Sequence, residues 1–305
     1  MSKRLSNEQI ISAPPSIWDI GRLQLADYVE LTKPRVTTLV LITTVVGFYL
    51  GSRGPMNLRL LLHTLTGTAL TAGAAAVLNQ FLERATDKMM RRTENRPLPA
   101  RRLEPSSALI FGIILSAAGL AYLAYLVNVL ACFLALAVLA SYLFVYTPLK
   151  QKTSLCTLVG AFPGATPPLI GWAAATGELS LKAWSLFFIL FLWQFPHFLA
   201  IAWMYREDYE RGGFRMLPLE DRDGFVTGQQ ILIYTMALIP ISLLPSALGL
   251  TGLVYVSGAL LLGSLFVFYG FRVAQSRTTG DARKLLKASV VYLPLLLVLM
   301  VVDKA

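Results

Sequence analysis

Asn79, Glu83 and Asp87 recur every four residues at the end of a long apolar stretch. On an α-helix this spacing sets them on one slowly drifting face, with roughly 6 Å of rise between neighbours. Carboxylates one turn apart repel by roughly 0.2–0.5 kcal/mol unless a cation stands between them. A divalent metal would serve. Residues 79–102, NQFLERATDKMMRRTENRPLPARR, hold seven bases against three acids, and those bases would suit a phosphorylated ligand. The same spacing is compatible with a plain solvated helix end in which Asp87 pairs with Arg91 at i,i+4.

Two more stretches carry chemistry. YTPLKQKTSLC places Tyr146, Lys150 and Lys152 after a later apolar run. WSLFFILFLWQFPHFLAIAWMY sets Trp193, Gln194, Phe195, His197 and Phe198 around Pro196, then continues into an acidic loop with Glu207, Asp208, Glu210, Glu220, Asp221 and Asp223. Polar groups inside an apolar span are costly enough to point to function, although a histidine satisfied by a carbonyl beside the proline gap is the structural alternative for His197. Mg²⁺ needs only a few carboxylates and completes its shell with water and phosphate oxygens. Arg91, Arg92, Lys150 and Lys152 would neutralise the remaining phosphate charge and stabilise a departing pyrophosphate. An allylic cation left behind would be sheltered by aromatic faces such as Tyr146, Phe162, Trp193 or Phe198. The chemistry these residues allow is metal-dependent prenyl transfer within a membrane.

The elements that must position them are membrane helices. The 305 residues are 55% hydrophobic and 14% charged, with a mean hydropathy of +0.61, which excludes an ordinary soluble domain. Apolar runs long enough to cross about 30 Å of hydrocarbon fall at 36–51, 60–82, 106–126, 128–147, 156–176, 183–203, 226–248, 252–271 and 286–302. With nine spans, 23 of the 27 Lys and Arg fall on the N-terminal side and only Arg53, Arg59, Lys182 and Lys304 on the other. That asymmetry predicts a cytoplasmic N-terminus and an outside C-terminus. The net charge of +10 is then a topology signal, and no nucleic-acid partner is expected.

Residues 1–35 form an expected cytoplasmic segment with an interfacial helix over 16–31, carrying Ile17, Trp18, Ile20, Leu23, Leu25, Tyr28 and Val29. Lys33, Pro34 and Arg35 end it, the bases at headgroup level. Residues 36–302 form one transmembrane domain, with active-site loops at 83–105, 147–155 and 204–225. No cleavable signal is expected, and the acids before residue 35 disfavour a mitochondrial transit peptide, so the bacterial cell (inner) membrane is the expected location. Cys132 and Cys156 show no paired spacing and predict neither disulfide nor metal site. The small residues of 60–82 predict a helix buried in the bundle, with His63 near its outer end as a structural residue. Pro163, Pro167 and Pro168 with Gly160, Gly164 and Gly171 predict a broken fifth span bordering a cavity.

The run at 79–99 resembles the first aspartate-rich motif of the UbiA superfamily of intramembrane prenyltransferases. LTKPRV at 31–36, YTPLK at 146–150, GAFPGATPPLIGWAA at 160–174 and WQFPHFLAIAWMYREDY at 193–209, with GF and MLP beyond, are similar to its heme-farnesylating branch. The resemblance runs from about residue 25 to the last span. It implies an all-α polytopic membrane protein whose nine transmembrane helices form a UbiA-like bundle. It further implies transfer of farnesyl from farnesyl diphosphate to a vinyl group of heme B, with addition of water, assisted by Mg²⁺. Heme O would then pass to heme A synthase or a terminal oxidase. Carried over by residue, Asn79, Glu83 and Asp87 match metal-binding positions, and Arg91, Arg92 and Lys150 match basic positions near the diphosphate. His197 matches the PHF signature, where contact with heme is implied, and Tyr205 and Asp208 fall in the second motif, Asp208 as a further metal ligand. Glu83 replaces the commoner aspartate, and Tyr205 and Gly212 stand where other branches carry acids, which puts a second Mg²⁺ in doubt. A quinone or chlorophyll precursor is the nearest alternative acceptor. A transporter, from another class, would place its polar groups near the bilayer midplane instead of at helix ends.

Overall fold

A computed structural model describes residues 17–305, with side chains from Gln24 onward. Residues 1–16 of the expected N-terminal segment, and the side chains of Ile17, Trp18, Ile20 and Leu23 expected on its interfacial helix, lie outside the described residues. The elements in chain order are α1 (Ile17–Leu31), α2 (Pro34–Gly51), α3 (Leu58–Asp87), α4 (Pro105–Leu126), α5 (Val129–Leu149), α6 (Cys156–Ala165) and α7 (Pro167–Thr176). They continue with α8 (Leu181–Met204), α9 (Arg206–Arg211), α10 (Leu217–Glu220), α11 (Phe225–Ala247), α12 (Leu253–Ser276) and α13 (Thr279–Val302).

Among the described residues, eight helices are long and apolar enough to cross a membrane. The exception is the stretch expected as one span over 156–176, which is two ten-residue helices, α6 and α7. Pro167 and Pro168 lack the N–H groups an uninterrupted helix needs at that point, so the chain restarts at Thr166. Each half is about 15 Å long, half a bilayer. The second half is pressed against α2: a Cβ added to Gly171 would lie 1.9 Å from the Thr44 carbonyl oxygen, and one added to Gly47 would lie 2.0 Å from that of Pro168. Only glycine permits this reciprocal backbone approach.

α3 is the buried helix expected from its small residues. Thr64, Gly67, Thr68, Thr71, Gly73 and Ala74 to Ala76 all face protein, and Gly112 and Gly119 of α4 let that helix close onto it. His63 bonds the Tyr122 hydroxyl at 2.9 Å, a structural contact. α4 and α5 form a tight hairpin turned at Asn128, whose side chain caps Ala131 N–H at 2.8 Å and donates to Ala173 O at 2.8 Å. The last turns of α5, Ser141–Tyr146, are π-helical, a distortion common at functional sites. α1 lies against α3 and α4 through Tyr28, Leu31, Val77, Phe81 and Phe111, and Arg102 ties it down by ion pairs to Asp27 and Glu30 at 2.8 Å.

At the opposite end of the bundle the last residues clasp the first span. Lys304 Nζ donates to Tyr49 O at 2.7 Å and Ser52 O at 2.8 Å and sits 4.6 Å from the centre of the Tyr49 ring. A cation at a helix C-terminus satisfies open carbonyls and the helix dipole together.

Candidate active site

Asn79, Glu83 and Asp87 line the last two turns of α3 and are all buried, at 1%, 8% and 1% exposure. Buried carboxylates require partners, and each of the three side chains meets a cation from a different part of the chain. Lys33, in the left-handed turn between α1 and α2, places Nζ 3.5 Å from Asn79 Oδ1. Lys150, just past α5, donates to Glu83 Oε1 at 2.7 Å. Arg96, in the loop after α3, donates to Asp87 Oδ2 at 2.8 Å. The Thr93 hydroxyl donates to the Asp87 carbonyl at 2.7 Å, which curls this loop back over the helix end. Asn79 Nδ2 donates to the Thr147 hydroxyl at 3.1 Å.

The charges act on one another. Burial, with Arg96 and Lys150 as like-charged neighbours, lowers the Lys33 ammonium to about 8. Burial also opposes the Lys150 charge, but Tyr146 beside it, Glu83 and Tyr142, and the direct bond to Glu83 outweigh it and hold Lys150 above the ordinary lysine range. Its Nζ lies 4.5 Å from the Tyr146 ring centre and 5.7 Å from that of Phe214. A Cβ on Gly160 would come within 2.5 Å of the Tyr146 ring, so glycine there leaves room for it.

The remaining basic residues divide. Arg92 stacks on Tyr205 and Tyr209, 5.3 and 5.4 Å from their ring centres, and so joins the first motif to the second. Arg91 and Lys152 are exposed and form no ion pair among the described residues. Asp87 therefore pairs with Arg96, not with Arg91 one turn on, because the helix ends at Asp87 and the chain turns back. Asp208 is buried on the short helix α9 and paired with Arg211. The loop after it closes on the site, since Arg215 N–H donates to Lys150 O at 2.7 Å.

His197, Trp193 and Phe198 form a separate cluster facing α13. Trp193 stacks on His197 with ring centres 4.7 Å apart, Phe198 meets the imidazole edge-on at 5.5 Å, and His197 Nδ1 is 2.7 Å from Ser289 Oγ. Tyr146 and Tyr205 thus belong with the acidic end of α3, whereas Trp193, His197 and Phe198 do not share contacts with it.

Among the described residues no three His, Cys, Asp or Glu side chains converge on one point. The donor set at α3 nevertheless suits a hard cation that prefers oxygen and takes few protein ligands. Glu83 Oε2 and Asp87 Oδ1 have no hydrogen-bond partner among the described residues. Three contributors escaped sequence reasoning. Lys33 stands in LTKPRV, where it reads as a headgroup anchor, and Arg96 in NRPLP, without a role of its own; Ser289, a lone hydroxyl in an apolar span, gave no signal.

Residues 40–293 match the UbiA prenyltransferase family. A protoheme IX farnesyltransferase of Solibacter usitatus is 51% identical over 289 residues, covering 92% of this chain and 99% of that one. Among solved structures, a digeranylgeranylglyceryl phosphate synthase has a TM-score of 0.78 at 18% identity, covering 92% of this chain and 98% of that one. A UbiA homologue from Archaeoglobus fulgidus bound to DMAPP and Mg²⁺ has a TM-score of 0.63 at 14% identity, covering 90% and 99%. These two likenesses show the fold: an all-α polytopic membrane bundle.

Proposed function

The chain belongs to the UbiA prenyltransferase family, and from that premise we propose that it transfers farnesyl from farnesyl diphosphate to a vinyl group of heme B, with addition of water, giving heme O and diphosphate. The observation that carries this reading is the buried Asn79–Glu83–Asp87 ladder with one cation against each member, in a chain about half identical to a heme farnesyltransferase.

Asn79, Glu83 and Asp87 are the residues that would hold Mg²⁺, with Asp208 as the second motif's carboxylate. Bound there, the metal supplies charge stabilisation to the diphosphate as it leaves. Lys150 and Arg96 turn from their carboxylate partners, and Lys33 from the Asn79 amide, towards the phosphate oxygens, arginine in bidentate fashion. Arg91, Arg92 and Lys152 stand further out and draw the substrate in by charge. The Tyr146 face shelters the allylic cation formed as the C1–O bond breaks, and Tyr205, under Arg92, borders the same space. His197, Trp193 and Phe198 serve the acceptor.

The base distribution supports nine spans, the ninth being the broken α6–α7 pair, with the active end cytoplasmic and residues 1–35 as a surface segment in a bacterial cell membrane. The product feeds heme A synthase or a terminal oxidase. Purified protein given heme B, farnesyl diphosphate and Mg²⁺ is expected to yield heme heavier by a farnesyl group plus a hydroxyl group in mass analysis; no such product means the proposed function is wrong.

A further inference from the structure

Ser289 is fully buried in α13, and its hydroxyl makes two contacts of 2.7 Å, to Leu286 O and to His197 Nδ1. A hydroxyl has one hydrogen and a carbonyl can only accept. The hydrogen must therefore lie on the Leu286 contact, since the reverse would press two bare oxygens together at 2.7 Å. The other contact is then donated by the imidazole, whose Nδ1 carries its proton. No acidic side chain pairs with the ring among the described residues, so the neutral ring presents an Nε2 lone pair. Nε2 has no hydrogen-bond partner among the described residues.

The ring is also fixed in plane. Trp193 stacks on it at 26°, and Trp193 Nε1–H donates to Ser289 O at 2.9 Å. The same α13 residue thus anchors both aromatic rings of α8. A neutral imidazole with its Nδ1–H held by a second residue and its Nε2 bare is the arrangement of a metal-ligating histidine. His197 lies eight residues before Tyr205, roughly 12 Å along α8, and Tyr205 carries Arg92 of the first motif.

We propose that His197 Nε2 is an axial ligand to the iron of the heme substrate and that Ser289 is the positioning residue setting its tautomer, with Trp193 holding the ring plane. This rests on the heme-farnesylating reading. One axial bond fixes the height and tilt of the macrocycle and leaves its vinyl-bearing edge to reach towards the diphosphate end.

The test is titration of the purified full chain with ferric heme B, without farnesyl diphosphate, followed by Soret absorbance and electron paramagnetic resonance. Wild type is expected to show a saturable histidine-ligated signature. His197→Ala should lose it and recover it with excess imidazole. Ser289→Ala should weaken heme affinity about 10- to 100-fold but add no further loss in a His197→Ala background, because the serine acts through the histidine. An unchanged signature in His197→Ala, or a loss that imidazole does not restore, overturns the ligation. An unchanged affinity in Ser289→Ala, or an equal further loss in the double variant, overturns the positioning role. Mass analysis of the same wild-type preparation separates the two levels. Farnesylated heme without a histidine signature overturns the ligation alone, and no farnesylated heme overturns the function it rests on.

Discussion

At the end of α3, Asn79, Glu83 and Asp87 meet cations 46, 67 and 9 residues away in sequence, whereas Asp208 is matched by Arg211 one turn along its own six-residue helix. A one-turn ion pair forms wherever a helix forms. The long-range pairs exist only once α1, α2, α3 and α5 have come together. Burying two carboxylates, with the buried Lys150 against one of them and the half-buried Arg96 against the other, is costly, and replacing such pairs by apolar residues is often neutral or stabilising. Stability therefore gives a poor account of the first motif, and ligand binding a good one. The second motif, with its arginine half-exposed, can be explained as ordinary helix chemistry that also borders the site.

Substitutions can break or sharpen that contrast. Asp87→Asn should lower farnesyl transfer by about 10²–10³ in turnover while the protein still folds and elutes as wild type; near-normal turnover would remove the metal role of the first motif. Next in size is stability: Lys150→Met strands Glu83 and should cost about 3–5 kcal/mol in denaturant unfolding, and adding Glu83→Gln should return much of it, as expected for a buried pair. Asp208→Asn opens a partly exposed pair worth about 0–1 kcal/mol, so a stability loss as large as that of Lys150→Met would mean the two motifs are alike after all. Smallest should be Arg91→Ala and Lys152→Ala, within about 0.5 kcal/mol of wild type in stability when measured by thermal melting. A larger effect from either would place it among the partners of the first motif.

Much of this was legible beforehand. The ladder Asn79, Glu83, Asp87 follows from a period of four, and the burial of α3 from its glycines, threonines and alanines. The short connection between the runs at 106–126 and 128–147 and the break in the fifth span are visible as interruptions of apolar sequence, although Pro167 and Pro168 make two helices of a stretch long enough for one span. Which cation pairs with which acid was hidden, because pairing depends on tertiary approach. Lys33 reads as a headgroup anchor until the left-handed turn at its own position sends it inward, and Arg96 is one of seven bases in the motif stretch until Thr93 curls the loop. His197 shows the opposite limit: its type and setting were conspicuous, but its orientation came from Ser289, which no spacing rule connects to it.

The Lys304 clasp has a consequence for the order of biogenesis. Its two acceptor carbonyls belong to Tyr49 and Ser52, some 255 residues earlier in the chain. At about 5–20 residues per second of synthesis, the first span waits on the order of ten to fifty seconds before the ribosome releases the group that closes its end. Throughout that interval the first span is held by its neighbours α3 and α7, and the carbonyls at its end gain their cation only once the helix that carries Lys304 has arrived.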